Sequence, residues 1–266
     1  MGAPIVNQQK IIRFYNENLH EIEDEIAVEF PMTIVVDGEE LATMVCTPSQ
    51  LEDLVIGFLA SEGLIRFTEE ILSLSIDEKR GFAHVELKNK KTISKDFYSK
   101  RFIGSCCGKS RQFYLHNDAR TAKTVMTQTP ITVQQCFNLM KQMQERSIDF
   151  QATGGVHNAA LCTPEEMIIE RSDIGRHNAL DKIYGYCLQH RISPKDKVIA
   201  FSGRISSEVL LKVAKIGAGI MLSKSAPTTL ALELAHDLGI TTVGFIRNSA
   251  LNIYTHPHRI VEALSE

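Results

Sequence analysis

Apolar and polar residues alternate with the two-residue period of strands through much of the N-terminal part of the chain. Strand character, with turn signals between, falls at Ile11 to Tyr15, Ile26 to Phe30, Met32 to Val36, Glu40 to Cys46, Ser73 to Ile76 and Phe82 to Leu87. Asp37-Gly38 stands between two of these runs and predicts a tight hairpin turn. One helix interrupts the strands. Thr47-Pro48 reads as its cap and start, Leu51, Leu54, Val55, Phe58 and Leu59 fall on one helical face, and Gly63 ends it. This half reads as an α+β unit.

From about Lys100 to Thr129 the periodicity gives way to polar, basic and small residues, which predicts a mobile connector. After Pro130 a helix runs through Val133, Phe137, Met140 and Met143. Short apolar strands follow at Val198 to Phe201, Ile220 to Leu222 and Thr242 to Ile246, separated by helices at Ser206 to Ile216 and Thr228 to Leu238. Alternating strands and helices predict a parallel sheet with right-handed crossovers. The expected fold is therefore α/β. A strand-rich α+β domain over residues 1–128 would end in a mobile, cysteine-containing loop at about 100–128, and a second domain over 129–266 would carry a mostly parallel sheet.

A chain of 266 residues with 44% hydrophobic and 23% charged positions can bury an ordinary globular core. The net charge of −3 gives no global positive field for nucleic acid or an anionic membrane, so anion binding must be local. No run of about eighteen apolar residues and no basic-then-apolar leader is present, and the expectation is a soluble, cytoplasmic protein. Cys46, Cys136, Cys162 and Cys187 stand alone in apolar stretches and read as buried and inert. His-containing segments in the second half come without a Cys-x-x-Cys pair, so a closed zinc site lacks its usual ligands and no metal is expected.

The chemistry concentrates elsewhere. Cys106 and Cys107 lie in Gly104-Ser105-Cys106-Cys107-Gly108-Lys109-Ser110-Arg111, with Arg101 a further cation nearby. Positive charge lowers the cost of forming a thiolate, the species that reacts. Adjacent residues are poorly placed for an unstrained disulfide, so the pair reads as reactive sulfur rather than a staple.

Ligands of parallel sheets bind beyond the carboxyl ends of the strands. Ser202-Gly203-Arg204, Ser225-Ala226-Pro227-Thr228 and Arg247-Asn248-Ser249 each follow an expected strand, and the three turns are expected to converge on one rim. There Arg204 and Arg247 could clamp phosphates, while Ser225 and Thr228 cap a helix and donate to an anion. Each turn taken singly reads rather as plain strand-to-helix geometry, and it is the three together that point to a ligand. In Asp173 to Lys182, Asp173 could cap a helix that sets His177 and Asp181 four positions apart on one face, either to hold an imidazole tautomer or as a structural pair. His157 follows the flexible Gly154-Gly155 turn, and its weight depends on meeting a reactive partner.

These segments together resemble the formate dehydrogenase accessory sulfurtransferase family, FdhD. The resemblance rests on Asp53 to Gly63, the cysteine segment, Thr153-Gly154-Gly155-Val156-His157, Asp173 to Lys182, Ser202-Gly203-Arg204, Ser225 to Thr228 and Val243 to Arg247. It implies a sulfur carrier that takes persulfide sulfur from a cysteine desulfurase and delivers it to the molybdenum cofactor, in its bis-molybdopterin guanine dinucleotide form, before insertion into formate dehydrogenase. It also implies a homodimer, a cytidine-deaminase-like three-layer fold for the C-terminal domain, and a cofactor-binding segment at Phe245, Ile246, Arg247, Asn248, Ser249 and Ala250. Many members of the family carry Ser-Cys-Gly-x-Cys-Gly. Alignment on the Cys-Gly step puts Cys107 at the first cysteine and Ser110 at the second, with Cys106 an extra thiol.

The resulting expectation is that Cys107 carries the persulfide, Cys106 can relay it, and Lys109 and Arg111 favour the anion. The cofactor would sit on Arg204, Arg247, Ser225 and Thr228, with His157 or His177 managing a proton. One rival is a cofactor chaperone or nucleotide-binding protein without sulfur transfer. A zinc deaminase is the other, but His157-Asn158-Ala159 lacks the glutamate that deamination needs, and no Pro-Cys-x-x-Cys follows.

Overall fold

The computed structural model describes residues 4–89, the backbone of 101–103, and residues 122–264. Cys106, Cys107, Lys109, Ser110 and Arg111 lie outside the described residues.

A two-stranded ribbon comes first: β1 (Val6–Tyr15) pairs antiparallel with β2 (Asn18–Ala27). Its turn residues Asn16 and Glu17 have φ of 49° and 62°, the left-handed pair that a two-residue hairpin turn requires. The strand expected at Ile26 to Phe30 is therefore differently bounded: β2 ends at Ala27, and Phe30 begins the next strand.

A five-stranded sheet follows, made of β3 (Phe30–Val36), β4 (Glu39–Cys46), β5 (Ile71–Asp77), β6 (Phe82–Leu87) and β7 (Arg101–Ile103) in the order β5-β6-β3-β4-β7. The β3–β4 hairpin turns on Asp37 and Gly38, both at positive φ, as the sequence predicts. Asp37 also accepts a hydrogen bond from the Leu87 N–H at 3.0 Å and so ties the turn to β6.

Helix α1 (Leu51–Ser61) packs behind this sheet, and nearly all of it is buried. Thr47 does not cap it. The residue before the helix is Gln50 in a left-handed conformation, and the Thr47 hydroxyl donates instead to Asp173 Oδ2 at 3.0 Å. A tertiary partner has taken the hydroxyl that the local reading assigned to a cap.

The remaining chain forms α2 (Val133–Arg146), α3 (Ile148–Thr153), β8 (His157–Cys162), β9 (Met167–Asp173), α4 (Arg176–Gln189), β10 (Val198–Phe201), α5 (Ser207–Ile216), β11 (Ile220–Ser223), α6 (Thr229–Leu238), β12 (Thr241–Arg247) and β13 (Ala250–Thr255). Six of these strands make a second sheet in the order β13-β12-β11-β10-β8-β9. The strands expected to run parallel, β10, β11 and β12, do so. Antiparallel pairs flank them, β8 with β10 and β9 on one side and β12 with β13 on the other, so the sheet is mixed. The reading missed β8 and β9 because a Gly-Gly turn and a run of small residues hid their alternation.

Residues of this sheet divide by the strand period. Ala159, Leu161, Ile199, Phe201 and Met221 face the core that α1, α4, α5 and the five-stranded sheet share, whereas Ala160, Cys162, Val198, Ala200 and Leu222 face α2. Both faces are buried, which accounts for the continuous apolar runs of β10 and β11.

Helices α1 and α4 meet backbone to backbone. A Cβ at Gly57 would strike the carbonyl of Asp181, and a Cβ at Gly185 would strike that of Asp53. Beside this crossing, Asp53 accepts from Arg171 and from Gln189, each at 2.7 Å, and Ser61 donates to Asp181 at 2.6 Å.

The described end of the connector is anchored. Val125 is buried, and its N–H donates to the carbonyl of Leu238 at 2.8 Å. Cys46, Cys136, Cys162 and Cys187 are buried free thiols whose pKa burial pushes up to about 12, so they are inert, as expected. Among the described residues no helix is long and apolar enough to cross a membrane.

Candidate functional site

Strand direction gathers the site. β9 and β10 both run antiparallel to β8, so the carboxyl ends of β9, β10, β11 and β12 share one edge of the sheet. The N-termini of α4, α5 and α6 therefore open on that edge and bring positive dipole character to it. Ser206 caps α5 by accepting from the Val209 N–H, and Thr228 caps α6 by accepting from the Ala231 N–H.

The three expected turns are joined by hydrogen bonds. Ser223 Oγ donates to the Gly203 carbonyl at 2.7 Å, and the Ile205 N–H donates to the Ala226 carbonyl at 3.1 Å. The Phe245 N–H donates to the Ser225 carbonyl at 3.2 Å, and Arg247 Nε to the Lys224 carbonyl at 3.1 Å. Arg204, Thr228 and Arg247 are exposed on this rim, with Ser225 half-buried among them. Two guanidinium groups, hydroxyls and helix N-termini thus share one edge, a set of donors of the kind that anions accept from.

The end of β12 is distorted. The register with β13 shifts between Gly244 and Arg247, and Phe245 and Asn248 have φ of 52° and 51°. For a bulky residue such as Phe245 a positive φ is strained, and the bulge turns its ring outward, where it is 39% exposed. The Arg247 guanidinium lies 5.7 Å from the ring centroid. Ile246, between them, is buried in the core, so of the segment Phe245 to Ala250 it can offer a ligand only its backbone.

His157 opens β8 opposite Asp173. A Cβ at Gly203 would lie 3.4 Å from His157 Nδ1, so the imidazole packs directly beneath the Ser202-Gly203-Arg204 turn. Burial holds the pKa of His157 below its ordinary value, and Arg176 and His177 push it the same way against the pull of Asp173. His177 is also held low, chiefly by burial, although Glu208 opposes the shift. Both rings are neutral at pH 7 and able to accept a proton.

The expected His177–Asp181 pair does not form. His177 Nε2 lies 3.3 Å from Glu208 Oε2, and Asp181 is taken by Ser61 and by Lys212, whose Nζ is 2.6 Å from Oδ1. Residues adjacent on a helix face were claimed by α1 and α5. Nor does Asp173 cap α4; that helix begins after Gly175, with no side-chain cap. Asp173 instead closes β9, accepting from the Gly175 N–H at 2.8 Å and from Asn178 Nδ2 at 2.9 Å.

The sequence reading missed three groups at this edge. Arg176 and Glu208 sit in the first turns of α4 and α5, and Lys224 sits inside the Ser223 to Thr228 turn. A cation between two serines after a strand was a legible signal for Lys224; the other two needed the tertiary fold. Among the described residues no group of three His, Cys, Asp or Glu side chains is placed to hold a metal ion.

The sequence model of the FdhD/NarQ family matches residues 27–261. The sulfur carrier protein FdhD of Geobacillus kaustophilus is 61% identical over 261 residues, 98% of this chain and 99% of the relative. That of Bacillus subtilis is 53% identical over 262 residues, 98% of this chain and all of the relative. A solved chain from Desulfotalea psychrophila, described as a formate dehydrogenase accessory protein, superposes with a TM-score of 0.80 at 25% identity, covering 97% of this chain and all of that one.

Proposed function

The chain belongs to the FdhD/NarQ family, and from that premise we propose that it is a sulfur carrier serving formate dehydrogenase, with Cys107 as the sulfur-bearing residue. The observation that carries this reading is the 61% identity, over nearly the whole of both chains, to a protein named as a sulfur carrier. The sulfur donor is a cysteine desulfurase charged with a persulfide. The Cys107 thiolate attacks the outer sulfur of that persulfide; the donor's S–S bond breaks, the donor leaves as a thiolate, and Cys107 becomes a persulfide. No net oxidation occurs in this step. Cys106, the neighbouring thiol, can relay the sulfur.

The cargo that receives the sulfur is the molybdenum cofactor in its bis-molybdopterin guanine dinucleotide form. Its phosphates suit a rim on which Arg204 and Arg247 supply bidentate donors while Ser225, Thr228 and the N-termini of α5 and α6 supply hydroxyl and backbone donors. Phe245, turned out beside Arg247, offers an aromatic face to the same ligand. His157 and His177, neutral and half-buried next to the rim, are placed to take the proton released at the site.

The test is replacement of Cys107 by alanine in cells that depend on formate dehydrogenase. Loss of formate dehydrogenase activity, with the enzyme still made, is expected. Normal maturation would favour a cofactor chaperone that transfers no sulfur.

A further inference from the structure

Strands β1 and β2 form a sheet of their own, apart from the five- and six-stranded sheets. With ten residues in each strand and about 3.3 Å of rise per residue, the ribbon is an arm roughly 33 Å long. A lone two-stranded ribbon is marginal in water, so what its two faces meet decides whether it is ordered.

The register sorts its side chains into those faces. On one, Ile11 opposes Ile22, Tyr15 stacks on His20 with ring centroids 4.1 Å apart, and Arg13 pairs with Asp24 at 3.3 Å. Ile11, His20, Ile22 and Asp24 are half-buried, so this face is partly covered already. On the other, Phe14 stands opposite Leu19, Ile12 opposite Glu21, Lys10 opposite Glu23 and Gln8 opposite Glu25. Here Ile12, Phe14 and Leu19 are 71%, 67% and 71% exposed. Single apolar residues on a surface are ordinary, but three large ones clustered near the tip of a free-standing arm mark a contact.

Behind that apolar tip the same face is acidic. Its one cation, Lys10, lies 3.5 Å from Glu21, while Glu23 and Glu25 have no ion-pair partner among the described residues. A second copy of the chain matches this face poorly. Two such faces laid in the same direction set acids against acids, and laid in opposite directions they set acids against the apolar tip. The complementary surface carries apolar residues at one end and lysine or arginine at the other.

We infer that this face of the β1–β2 ribbon docks a cationic partner protein, whose apolar residues cover Ile12, Phe14 and Leu19 and whose lysine or arginine side chains meet Glu23 and Glu25. Neither the cysteines nor the rim takes part in this contact, so it stands or falls apart from the sulfur-carrier reading.

The probe is a fluorescent synthetic peptide with an apolar half of leucine and phenylalanine and a cationic half of lysine; the control carries glutamate in place of lysine. Anisotropy measured with the full chain is expected to show saturable binding of the lysine peptide, weakened by added salt, and none of the glutamate peptide. Phe14→Ser with Leu19→Ser and, separately, Glu23→Lys with Glu25→Lys are each expected to weaken the lysine peptide about tenfold. All four side chains are exposed, and the two variants alter different properties of the face, so either one decides the matter if the other misfolds. No binding of the lysine peptide, binding that neither variant changes, or equal binding of both peptides overturns the docking surface. Sedimentation velocity is expected to give the same oligomeric state for the unmodified chain and for Phe14→Ser with Leu19→Ser. A dimer that this variant dissociates would assign the ribbon to a second copy and overturn the cationic partner.

Discussion

Lys182 and Asp173 form an ion pair with no solvent exposure: Nζ lies 2.8 Å from Oδ2, and both side chains are wholly buried. Lys182 also donates to Thr47 Oγ1 at 2.8 Å and to the Ser172 carbonyl at 3.0 Å, and Asp173 accepts from the Thr47 N–H at 3.1 Å. The pair thus pins the segment after β4 to the end of β9 and the middle of α4, the two elements that carry Asp173 and His177. Lys182→Met would strand a buried carboxylate and is expected to cost about 3–5 kcal/mol. Urea unfolding measures this. Replacing both members, as Lys182→Met with Asp173→Asn, should recover part of the loss, and a single variant as stable as the parent would contradict the assignment.

Gly57 and Gly185 set the distance between α1 and α4. Alanine at either position drives a methyl group into a carbonyl of the facing helix and is expected to destabilise by about 2–3 kcal/mol. Thermal unfolding of Gly57→Ala and Gly185→Ala checks this; an unchanged midpoint would mean that the helices separate freely.

Acid should loosen the fold at the site. His157 and His177 are both held below the ordinary value of 6.5, so between 6.5 and their folded values the unfolded chain binds more protons than the native one. Their contribution to stability is full above about pH 6.5 and is lost as pH falls through the folded values. Urea midpoints measured from pH 8 to pH 5 should decline on the acid side, and the double variant His157→Gln, His177→Gln should show a shallower decline. An identical slope in the double variant would place the acid sensitivity elsewhere.

On the proposed reading of the rim, a variant at Arg247 separates ligand binding from sulfur loading. Arg247→Ala should weaken pyrophosphate binding ten- to hundredfold, as expected for loss of a charge-assisted hydrogen bond worth about 1.5–3 kcal/mol, with the effect shrinking at high salt. Persulfide loading from a desulfurase should not change. Equal loss of both would show that Arg247 supports the fold, through its bond to the Lys224 carbonyl, rather than the ligand.

Much of the architecture was legible because local signals and tertiary structure agree in it. The Asp37-Gly38 turn needed only two residues that tolerate positive φ, and β10, β11 and β12 announced themselves as apolar runs between helices capped by Ser206 and Thr228. The convergence of the turns at Ser202, Ser225 and Arg247 followed from parallel strand direction alone. Side-chain partners were the hidden part. Thr47, His177 and Asp181 each had a plausible neighbour in sequence and found a stronger one across the fold, in Asp173, Glu208 and Lys212. Period counting sees the face of an element and cannot see what packs on it.

The most direct test of sulfur carriage is intact mass measurement after incubating the chain with a cysteine desulfurase and free cysteine. The expected result is a gain of one sulfur atom, about 32 Da, that a thiol reductant removes, that peptide mapping places on Cys107, and that Cys107→Ala abolishes. A chain that gains no sulfur under conditions in which the desulfurase is charged, or that gains it equally well without Cys107, would contradict the account.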